Sequence, residues 1–360
     1  MPTDRRPRVA HVVPRLFGEE GAFGGAERYA LELARAMARL VPTRLVAFGK
    51  NARGEACNGL DIRVERERWA VAGRRHDPVN AAFLRHCLWA DVIHCHQYRT
   101  TSTAMALITA KATRKRTFVT DHGGGGSNLV RRLRAGRWFR AQLSQSEFAA
   151  STMPGIGRGK EIIYAGVDPD RYKPGPAKIP GRFVFLGRIL PHKGVEHLIR
   201  GLPGDASLEV VGRAVDPDYF QFLKEISTGA PVSFSTSAAD IEVIPKLASA
   251  QALVLPSVYT DYAGRRQELP ELVGLVLLEA MACGTAVVCS KVGGMPEIVI
   301  EGETGFVVEP GSPEALRKSL VRFQLDPGLA RRMGDRARTD VLARFTWDAV
   351  ARRCLEAYRT

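Results

Sequence analysis

The amino-acid sequence predicts an α/β protein with two doubly wound domains, each a parallel sheet covered by helices on both faces. Three observations predict this fold. The length of 360 residues suits two domains of ordinary size. Short, continuous apolar runs alternate with amphipathic stretches, which is typical of buried parallel strands connected by helices. A proline-rich segment near the midpoint divides this pattern into two similar halves.

The first half is predicted to begin with a strand over residues 8–13, followed by a glycine-rich loop and a helix over residues 26–40. The helix is predicted because apolar residues recur there at helical spacing. Further strands of this half are predicted over residues 43–48, 92–96 and 117–120.

Residues 168–181 (DPDRYKPGPAKIPG) contain prolines and glycines at a density that predicts a stiff linker. We therefore expect a first domain over 1–167 and a second over 182–344. Ligands of such sheets bind at the carboxyl ends of the strands, and with two domains we expect the active site in the cleft between them. The strands of the second domain are predicted over residues 183–186, 208–211, 252–255 and 286–289.

The net charge of +14 is concentrated in one half of the chain. Residues 1–180 contain 31 Lys and Arg against 16 Asp and Glu, whereas residues 181–360 contain 21 against 22. The basic first half leaves nucleic acid, an anionic membrane and a phosphate-rich substrate as candidate partners. The 45% hydrophobic and 25% charged residues exclude a disordered or fibrous chain.

The beginning of the chain does not resemble a targeting signal. Residues 1–8 are polar, and the apolar run over residues 9–13 is too short for the core of a signal peptide. Glu279 interrupts the longest apolar stretch, so no membrane span is predicted. The six cysteines form no tight cluster and are expected to be reduced. We therefore expect a cytoplasmic protein. Its strongest expected association with a membrane is peripheral contact at the inner face.

Two carboxylates, Glu271 and Glu279, flank a glycine in the segment ELVGLVLLEAMACGT. If Gly274 begins a helix, the free N–H groups of the first turn and the positive end of the helix dipole favour an anion. Helical rise over the eight intervening steps would separate the carboxylates by about 12 Å. That separation suits a ligand with hydroxyls at both ends and a diphosphate between them. The alternative is that neither carboxylate binds a ligand, with Glu271 in a loop and Glu279 on the solvated face of a helix.

Two further motifs could bind phosphate. GRILPHKG follows the strand predicted over 183–186, and its Arg188 and Lys193 could stabilise the charge that develops on a leaving diphosphate. They could equally be surface cations of a basic protein. Gly24 and Gly25 lie between the first strand and the first helix, where glycines let the backbone approach a phosphate or sugar closely. A glycine pair is also common in ordinary turns.

Together these motifs resemble those of the retaining glycosyltransferases of family 4, which have the two-domain GT-B fold. The resemblance extends over nearly the whole chain and is most specific in the second half. It implies two Rossmann-like domains that face each other across a cleft, and a final helix over 345–360 that crosses back to the first domain. The motifs are GGAE at 24–27, DVIHCH at 91–96, TDHG at 120–123, GVD at 166–168, GRILPHKG at 187–194, ELVGLVLLEAMACGT at 271–285, GGMPE at 293–297 and RFTW at 344–347.

The resemblance also implies roles for the residues that match the family's motifs. Arg188 and Lys193 would bind the diphosphate of the donor, Glu271 would face the donor sugar, and Glu279 would hold the ribose. The backbone groups implied along the sugar diphosphate are those of Gly24, Gly25, Gly274, Leu275 and Val276.

His122 matches a histidine that lies near the donor sugar in this family. Such enzymes usually need no metal or other cofactor, because cationic side chains take the part of Mg²⁺. They retain the anomeric configuration, by a front-face attack in which the leaving phosphate helps to deprotonate the acceptor.

The chain departs from the family pattern between Ser257 and Glu271, where residues 258–270 form a longer segment than usual. This loop would lie beside the donor sugar. Glu268 offers a second carboxylate there, but only Glu271 keeps the expected spacing to Glu279.

His94 and His96 are two residues apart on a predicted strand, so their side chains lie on one face and could hold zinc. No third ligand is evident in the sequence, and the family has no metal at this position. The alternative, a packed strand end with one histidine near the cleft, is the one that we expect.

Residues 131–140 combine five arginines with Leu133, Trp138 and Phe139. Such a stretch is typical of contact with anionic lipid or an anionic acceptor, and equally of a solvated arginine-rich face. Nucleic acid is not expected as a partner, because no recognition motif is present and the arginines are not interleaved with several stacking aromatics.

The sequence thus predicts a metal-independent, retaining hexosyltransferase. It would move a sugar from a nucleotide-diphosphate sugar to an acceptor hydroxyl of a small molecule, a glycan or a lipid-linked carrier, in the biosynthesis of cell-envelope glycans, glycolipids or natural products. The predicted donor is a UDP-sugar, and the alternative is a GDP-sugar used by a mannosyltransferase. An alternative of another class is a protein that binds a nucleotide sugar without turnover. The presence of all four charged site residues (Arg188, Lys193, Glu271 and Glu279) argues against it.

Overall fold

The computed structural model describes residues 6–18, 24–70, 77–153, 155–175, 177–326 and 328–360. Residues 1–5, on which part of the targeting prediction rests, lie outside the described residues. The chain divides into two compact units, Met1–Gly166 with Trp347–Thr360, and Val167–Thr346. Each unit contains one large, mainly parallel sheet. The predicted fold class, α/β with two doubly wound domains, is therefore confirmed.

An eight-stranded sheet forms the centre of the first unit. Its strands are β1 (Val9–Val12), β2 (Thr43–Gly49), β3 (Arg53–Cys57), β4 (Leu60–Arg66), β7 (Val92–His96), β8 (Arg116–Thr120), β9 (Ala141–Ser144) and β10 (Gly159–Ile162), while β5 (Trp69–Ala70) and β6 (Pro78–Val79) form a separate antiparallel pair. The order is β10-β9-β8-β7-β1-β2-β4-β3, and all pairs are parallel except β3 with β4. The order therefore reverses between β1 and β7.

Apolar side chains on both faces of this sheet attach its helices. On one face Ala10 and Val12 pack in a core cluster with Ile93 and Cys95. Because side chains alternate along a strand, His11 and His94 occupy the opposite face. The helices of this part of the chain are α1 (Gly25–Ala38), α2 (Leu84–Trp89), α3 (Thr101–Ala112), α4 (Leu129–Arg132) and α5 (Glu147–Ser151).

The second unit is built on a fully parallel six-stranded sheet. Its strands are β11 (Arg182–Leu186), β12 (Ser207–Val211), β13 (Val232–Ser235), β14 (Ala252–Leu255), β15 (Ala286–Ser290) and β16 (Gly305–Val308). The order β13-β12-β11-β14-β15-β16 is that of dinucleotide-binding sheets. It reverses between β11 and β14, where the carboxyl ends of two strands diverge and leave room for a ligand. The helices are α6 (Val195–Gly201), α7 (Pro217–Ile226), α8 (Asp240–Ser249), α9 (Leu275–Ala282), α10 (Pro313–Leu325) and α11 (Leu329–Arg344).

The proline-rich segment predicted as a linker packs against the second unit where the structure describes it. Ile179 N donates to the Ser249 carbonyl at 2.8 Å, and Lys178 Nζ donates to Thr285 Oγ1 at 2.5 Å. Tyr172 is buried. These contacts make the segment part of a folded unit, because its donors have fixed acceptors there.

The final helix, α12 (Trp347–Ala357), belongs to the first unit and packs against α1. The Trp347 ring meets the Tyr29 ring edge-on, with 5.1 Å between centroids. Within the described residues, no helix combines the length and the apolar composition needed to span a membrane.

Candidate active site

A charged cluster lies where the strand order of the second unit reverses. After β11 the chain forms a short 3-10 helix, Pro191–Lys193, and Gly194 with φ of 64° starts α6. Lys193 Nζ forms an ion pair with Glu271 Oε1, and Ser257 Oγ donates to the same oxygen at 3.0 Å. The two charged side chains are only 13% and 11% exposed. The fold thus brings together two predicted site residues that are distant in sequence.

Arg188, in contrast, is exposed directly after β11 and has no ion-pair partner among the described residues. Between these cations lies His192, whose pKa is lowered to about 4, chiefly by burial and further by Lys193. His192 is therefore neutral at pH 7 and leaves the positive charge of the loop to Arg188 and Lys193.

The start of α9 adds backbone donors beside the Lys193 cluster. Gly274 adopts φ of 78° as the N-cap, and no side chain of the described residues caps the N–H groups of the first turn, which includes Leu275 and Val276. Such an end favours an anion. Because the helix begins four residues after Glu271, the prediction of about 12 Å of helical rise between Glu271 and Glu279 is wrong. Glu279 lies in the second turn and is 6% exposed.

The GGMPE motif holds the backbone that carries Glu271. Gly293 adopts φ of 57°, and a Cβ atom at this position would overlap the carbonyl oxygen of Glu271. Gly294 N donates to that carbonyl at 3.3 Å. Glycine is required here because both the positive φ and the close approach exclude a side chain.

The long segment over 258–270 is fixed by internal hydrogen bonds. Gly293 N donates to Tyr259 Oη at 2.9 Å, which ties the loop to the Glu271 backbone. Asp261 is buried and accepts from the N–H groups of Ala263 and Arg265, each at 2.9 Å. Glu268 is exposed on this loop, whereas Glu271 contacts Lys193. The structure therefore favours Glu271 over Glu268 as the site carboxylate.

In the first unit, Gly24 is the N-cap of α1 and Gly25 its first residue. Among the described residues no side chain caps this helix end. A close approach of the backbone to a phosphate or sugar at this glycine pair stays a prediction.

Four histidines gather at the carboxyl ends of β1, β7 and β8. The parallel register places His11 beside His94, and His96 beside Thr120, two residues before His122. His11, His94 and His96 are completely buried, and His122 is half-buried. Sequence analysis missed His11, although a histidine inside the apolar strand VAHVV was a signal that could have been used.

Hydrogen bonds connect these rings. His11 Nδ1 and His96 Nε2 are 3.0 Å apart, and His96 Nδ1 and His122 Nε2 are 3.2 Å apart. His94 instead contacts the hydroxyls of Tyr358 and Thr120, at 2.7 and 2.9 Å. Burial lowers the pKa of every member, that of His11 and of His122 to about 3. The cluster is therefore uncharged at neutral pH.

The expectation that His94 and His96 lack a third ligand is wrong. Nitrogens of His11, His94 and His96 all lie within 4.8 Å of one another, and neutral imidazole is the form that binds zinc. However, both His94 nitrogens already bond to hydroxyls, and both His96 nitrogens bond to other histidines. A metal would have to replace these bonds. The group suits an internal hydrogen-bond network better than a metal site.

Comparison with known proteins identifies the chain. The family described as Glycosyltransferase Family 4 matches residues 23–171, and the family described as Glycosyl transferases group 1 matches residues 168–340. The two matches overlap at residues 168–171 and include the Lys193 cluster, α9 and His94, His96 and His122, whereas His11 precedes both.

The chain belongs to glycosyltransferase family 4.

Relatives of this family 4 glycosyltransferase include the alpha-maltose-1-phosphate synthase of Mycolicibacterium smegmatis, 35% identical over 49% of this chain and 46% of the relative. A GDP-mannose-dependent alpha-(1-6)-phosphatidylinositol monomannoside mannosyltransferase from the same organism is 31% identical over 58% of each chain. The chain matches about half the length of the first of these relatives.

Solved structures with the same fold match this family 4 chain over almost its whole length. The Anabaena protein Alr3699/HepE in complex with UDP-glucose has a TM-score of 0.77 at 19% identity and covers 98% of this chain and 99% of its own. Sucrose-phosphate synthase from Thermosynechococcus elongatus has a TM-score of 0.73 at 20% identity, covering 98% of each chain. These likenesses support the GT-B fold.

A basic surface lies on the first unit of this glycosyltransferase over residues 131–138. The chain forms the single turn α4 and a 3-10 helix, Ala135–Trp138, rather than one continuous helix. Arg131, Arg132, Arg134 and Arg137 are exposed and have no acidic partner among the described residues, and Leu133 and Trp138 are exposed beside them. Arg131 and Arg132, with Asn128, line a cavity of about 350 Å³.

We predict that the buried histidines make the protein sensitive to mild acid. In the unfolded chain a histidine binds a proton near pH 6.5, whereas folded His11 does so only near pH 3. Between these values the unfolded state binds more protons, so the free energy of unfolding falls as the pH decreases, by up to about 1.4 kcal/mol per pH unit for each such group.

Urea unfolding followed by tryptophan fluorescence at pH 7, 6 and 5 measures this dependence. His11→Asn removes one of the groups and should give a smaller loss of stability per pH unit than the wild type. The same slope in both proteins would show that His11 does not contribute.

Proposed function

We propose that this family 4 glycosyltransferase transfers a sugar from a nucleotide-diphosphate sugar to an acceptor hydroxyl. The observation that carries the proposal is the Lys193–Glu271–Ser257 cluster at the strand-order reversal of the second unit. Sheets with this strand order bind nucleotides where the order reverses. Burying charged groups there costs desolvation free energy, so their presence suggests a function.

The cluster provides complementary groups for the two parts of a donor. Lys193 has three N–H donors, of which one is used by Glu271, and among the described residues the other two have no acceptor and could donate to phosphate oxygens. Arg188 offers a forked guanidinium that has no ion-pair partner among the described residues and suits a phosphate. The Glu271 carboxylate accepts hydrogen bonds from sugar hydroxyls next to that phosphate. The contact between Lys193 and Glu271 therefore corresponds to the junction of sugar and diphosphate.

The remaining predicted residues extend this arrangement along the donor. The free N–H groups at Leu275 and Val276 suit a phosphate, and Glu279 would accept hydrogen bonds from the two ribose hydroxyls. In the first unit, Gly24 and Gly25 would let the backbone approach a phosphate or sugar closely.

In the proposed reaction, the acceptor oxygen bonds to the anomeric carbon as the bond from that carbon to the diphosphate oxygen breaks. Attack from the side of the leaving group retains the configuration, and the acceptor proton passes to the departing phosphate oxygen. Arg188 and Lys193 stabilise the negative charge that develops there, so that no metal ion is required.

A UDP-sugar is the proposed donor, supported by the fold shared with HepE in its complex with UDP-glucose. A GDP-sugar is the alternative, supported by the GDP-mannose-dependent relative in Mycolicibacterium smegmatis. The acceptor class that we propose is a cell-envelope glycan, a glycolipid or a natural product, handled at the cytoplasmic side.

We predict that a nucleotide sugar raises the melting temperature of the protein, because a ligand that binds only the folded state stabilises it. A panel of UDP-glucose, UDP-galactose, UDP-N-acetylglucosamine, GDP-mannose and dTDP-glucose would be screened by thermal shift. Mass spectrometry would then follow release of the nucleoside diphosphate.

A UDP-sugar that shifts the melting temperature and is slowly hydrolysed supports the proposal. A shift with GDP-mannose alone would replace the donor by the alternative, and binding without any release would favour a protein without turnover. If no nucleotide sugar binds, the proposed function is wrong.

We predict that Lys193→Ala lowers kcat by about 10²–10³, the usual loss when one group that stabilises transition-state charge is removed. Removing the cation leaves Glu271 with the Ser257 hydrogen bond and lowers the free energy of unfolding, so thermal unfolding must show that the variant is folded at the assay temperature. The rate of nucleoside diphosphate release measures the effect. Lys318→Ala, at an exposed lysine of α10, is the matched control and should keep the wild-type rate. A Lys193 variant with wild-type turnover would disprove the diphosphate assignment.

We further propose that the basic surface over 131–138 binds an anionic membrane. Arginines without acidic partners beside an exposed tryptophan and leucine are typical of proteins that lie on such surfaces. The surface also lies in the half of the sequence that contains the whole excess of positive charge.

We predict that replacing Arg131, Arg132 and Arg134 together by Gln weakens binding to phosphatidylglycerol vesicles by about 10²-fold, from about 1 kcal/mol per cation. Vesicle co-sedimentation at 50 and 200 mM salt measures the effect. Lys160, Arg352 and Arg353, three exposed cations of the same unit, provide a matched triple control. Unchanged vesicle binding with impaired acceptor use would assign the surface to an anionic acceptor instead. If neither changes, the surface has no role in binding.

A further inference from the structure

Three of the buried histidines form a single hydrogen-bonded line. His11 Nδ1 faces His96 Nε2 at 3.0 Å, and His96 Nδ1 faces His122 Nε2 at 3.2 Å. The rings of His96 and His122 are nearly parallel, at 10°. At the inner end, His11 Nε2 is buried and has no hydrogen-bond partner among the described residues. At the outer end, His122 is half-buried, and its Nδ1 makes no hydrogen bond to the described part of the chain.

Counting protons shows that the three rings must change together. Each neutral ring carries one N–H, and each of the two hydrogen bonds requires one proton between its nitrogens. Only two arrangements of neutral rings satisfy both bonds. Either all three rings are protonated on Nδ1, and His122 presents an N–H donor at its outer nitrogen, or all three are protonated on Nε2, and His122 presents a lone pair there.

The inner end of the line distinguishes the two arrangements. Protonation on Nε2 throughout would leave a buried N–H of His11 without an acceptor. Orphaned buried N–H groups are rare in native proteins, whereas acceptors that lack a full set of partners are less so. The arrangement with protons on Nδ1 avoids the orphaned donor and is therefore favoured.

His94 does not enter this line, although it lies on the same strand. Thr120 Oγ1 donates to the Leu143 carbonyl at 2.7 Å, so its lone pairs face His94 Nε2, which must supply the proton. His94 Nδ1 then accepts from the Tyr358 hydroxyl at 2.7 Å. His94 thus has a fixed proton position of its own, which makes it a natural control.

We propose that His11 and His96 are positioning residues that hold His122 as a neutral ring with its proton on Nδ1, so that it presents a hydrogen-bond donor at its outer nitrogen. In the proposed glycosyl transfer, on which this consequence rests, that donor would form a hydrogen bond to an oxygen of a substrate. The proton position itself does not depend on the proposed function.

Nitrogen chemical shifts of histidine rings measure the proton position directly. The protein would be labelled with ¹⁵N-histidine, and two-bond ¹H–¹⁵N correlations would be recorded for the wild type, His96→Phe and His94→Phe. Both substitutions keep a buried aromatic ring and remove its two nitrogens, but only the first breaks the line to His122. Thermal unfolding checks that each variant is folded.

The proposal expects His122 of the wild type to carry its proton on Nδ1 alone. In His96→Phe, His122 should become a mixture of both neutral forms, and in His94→Phe it should stay as in the wild type. A wild-type His122 protonated on Nε2, or a mixture, would overturn the proposal without any variant. So would an unchanged His122 in His96→Phe, or stoichiometric zinc in the purified protein by elemental analysis.

An activity measurement then tests the consequence for catalysis. With a donor that the wild type uses, His96→Phe should lower kcat by about tenfold, less than the about 10²–10³ expected for complete loss of a donor group. His94→Phe should remain within about twofold. Equal losses in both variants would show a structural effect only. If the wild type uses no donor, the proposed function fails, while the chemical shifts still decide the proton position.

Discussion

Parallel pairing at the reversal of strand order is the constraint on which both candidate ligand regions depend. Where β11 lies beside β14, and β1 beside β7, the connections leave the sheet in opposite directions. The carboxyl ends of the two strands are therefore not covered by their own helices. Lys193 and Ser257 follow one such pair, and His11 and His96 lie near the carboxyl ends of the other. Polar groups are common at these strand ends because the backbone there can face a ligand rather than the core.

Polar groups in these positions must find partners inside the protein. Lys193 is paired with Glu271, which also accepts from Ser257. An unpaired charge in such a position would cost several kcal/mol, and the contact between the two groups offsets part of the cost of burying them. The buried histidines avoid the cost of burial in another way. They stay neutral and bond to one another, since burial disfavours the charged imidazolium.

Local patterns in the sequence were sufficient to predict the fold class and most of the strands. Val92–His96 and Ala252–Leu255 occur as predicted, because continuous apolar runs bounded by polar residues leave little freedom. The Lys193 and Glu271 motifs also predicted charged groups at the site. Their direct contact was not predictable, because it depends on the register of two strands and on the glycine turn at Gly293.

The errors have a common physical origin in tertiary pairing. His11 was missed because it comes close to His94 only through the alignment of β1 with β7, which no local pattern contains. The assumption of continuous helical rise from Glu271 to Glu279 was wrong because α9 covers only Leu275–Ala282 and Glu271 lies in the loop before it. The sequence also did not predict the conformation of the loop over 258–270. That conformation depends on the hydrogen bonds of Asp261 and Tyr259.

The position of α12 has a consequence for how the chain acquires its structure. Tyr358 bonds to His94 and Trp347 packs on Tyr29, so the final turns of helix complete the first unit. These residues leave the ribosome only after the entire second unit, which is continuous in sequence. During synthesis the second unit can therefore finish its core while the first still lacks one layer. His94 of the first unit becomes fully covered only when residues 347–358 have been made.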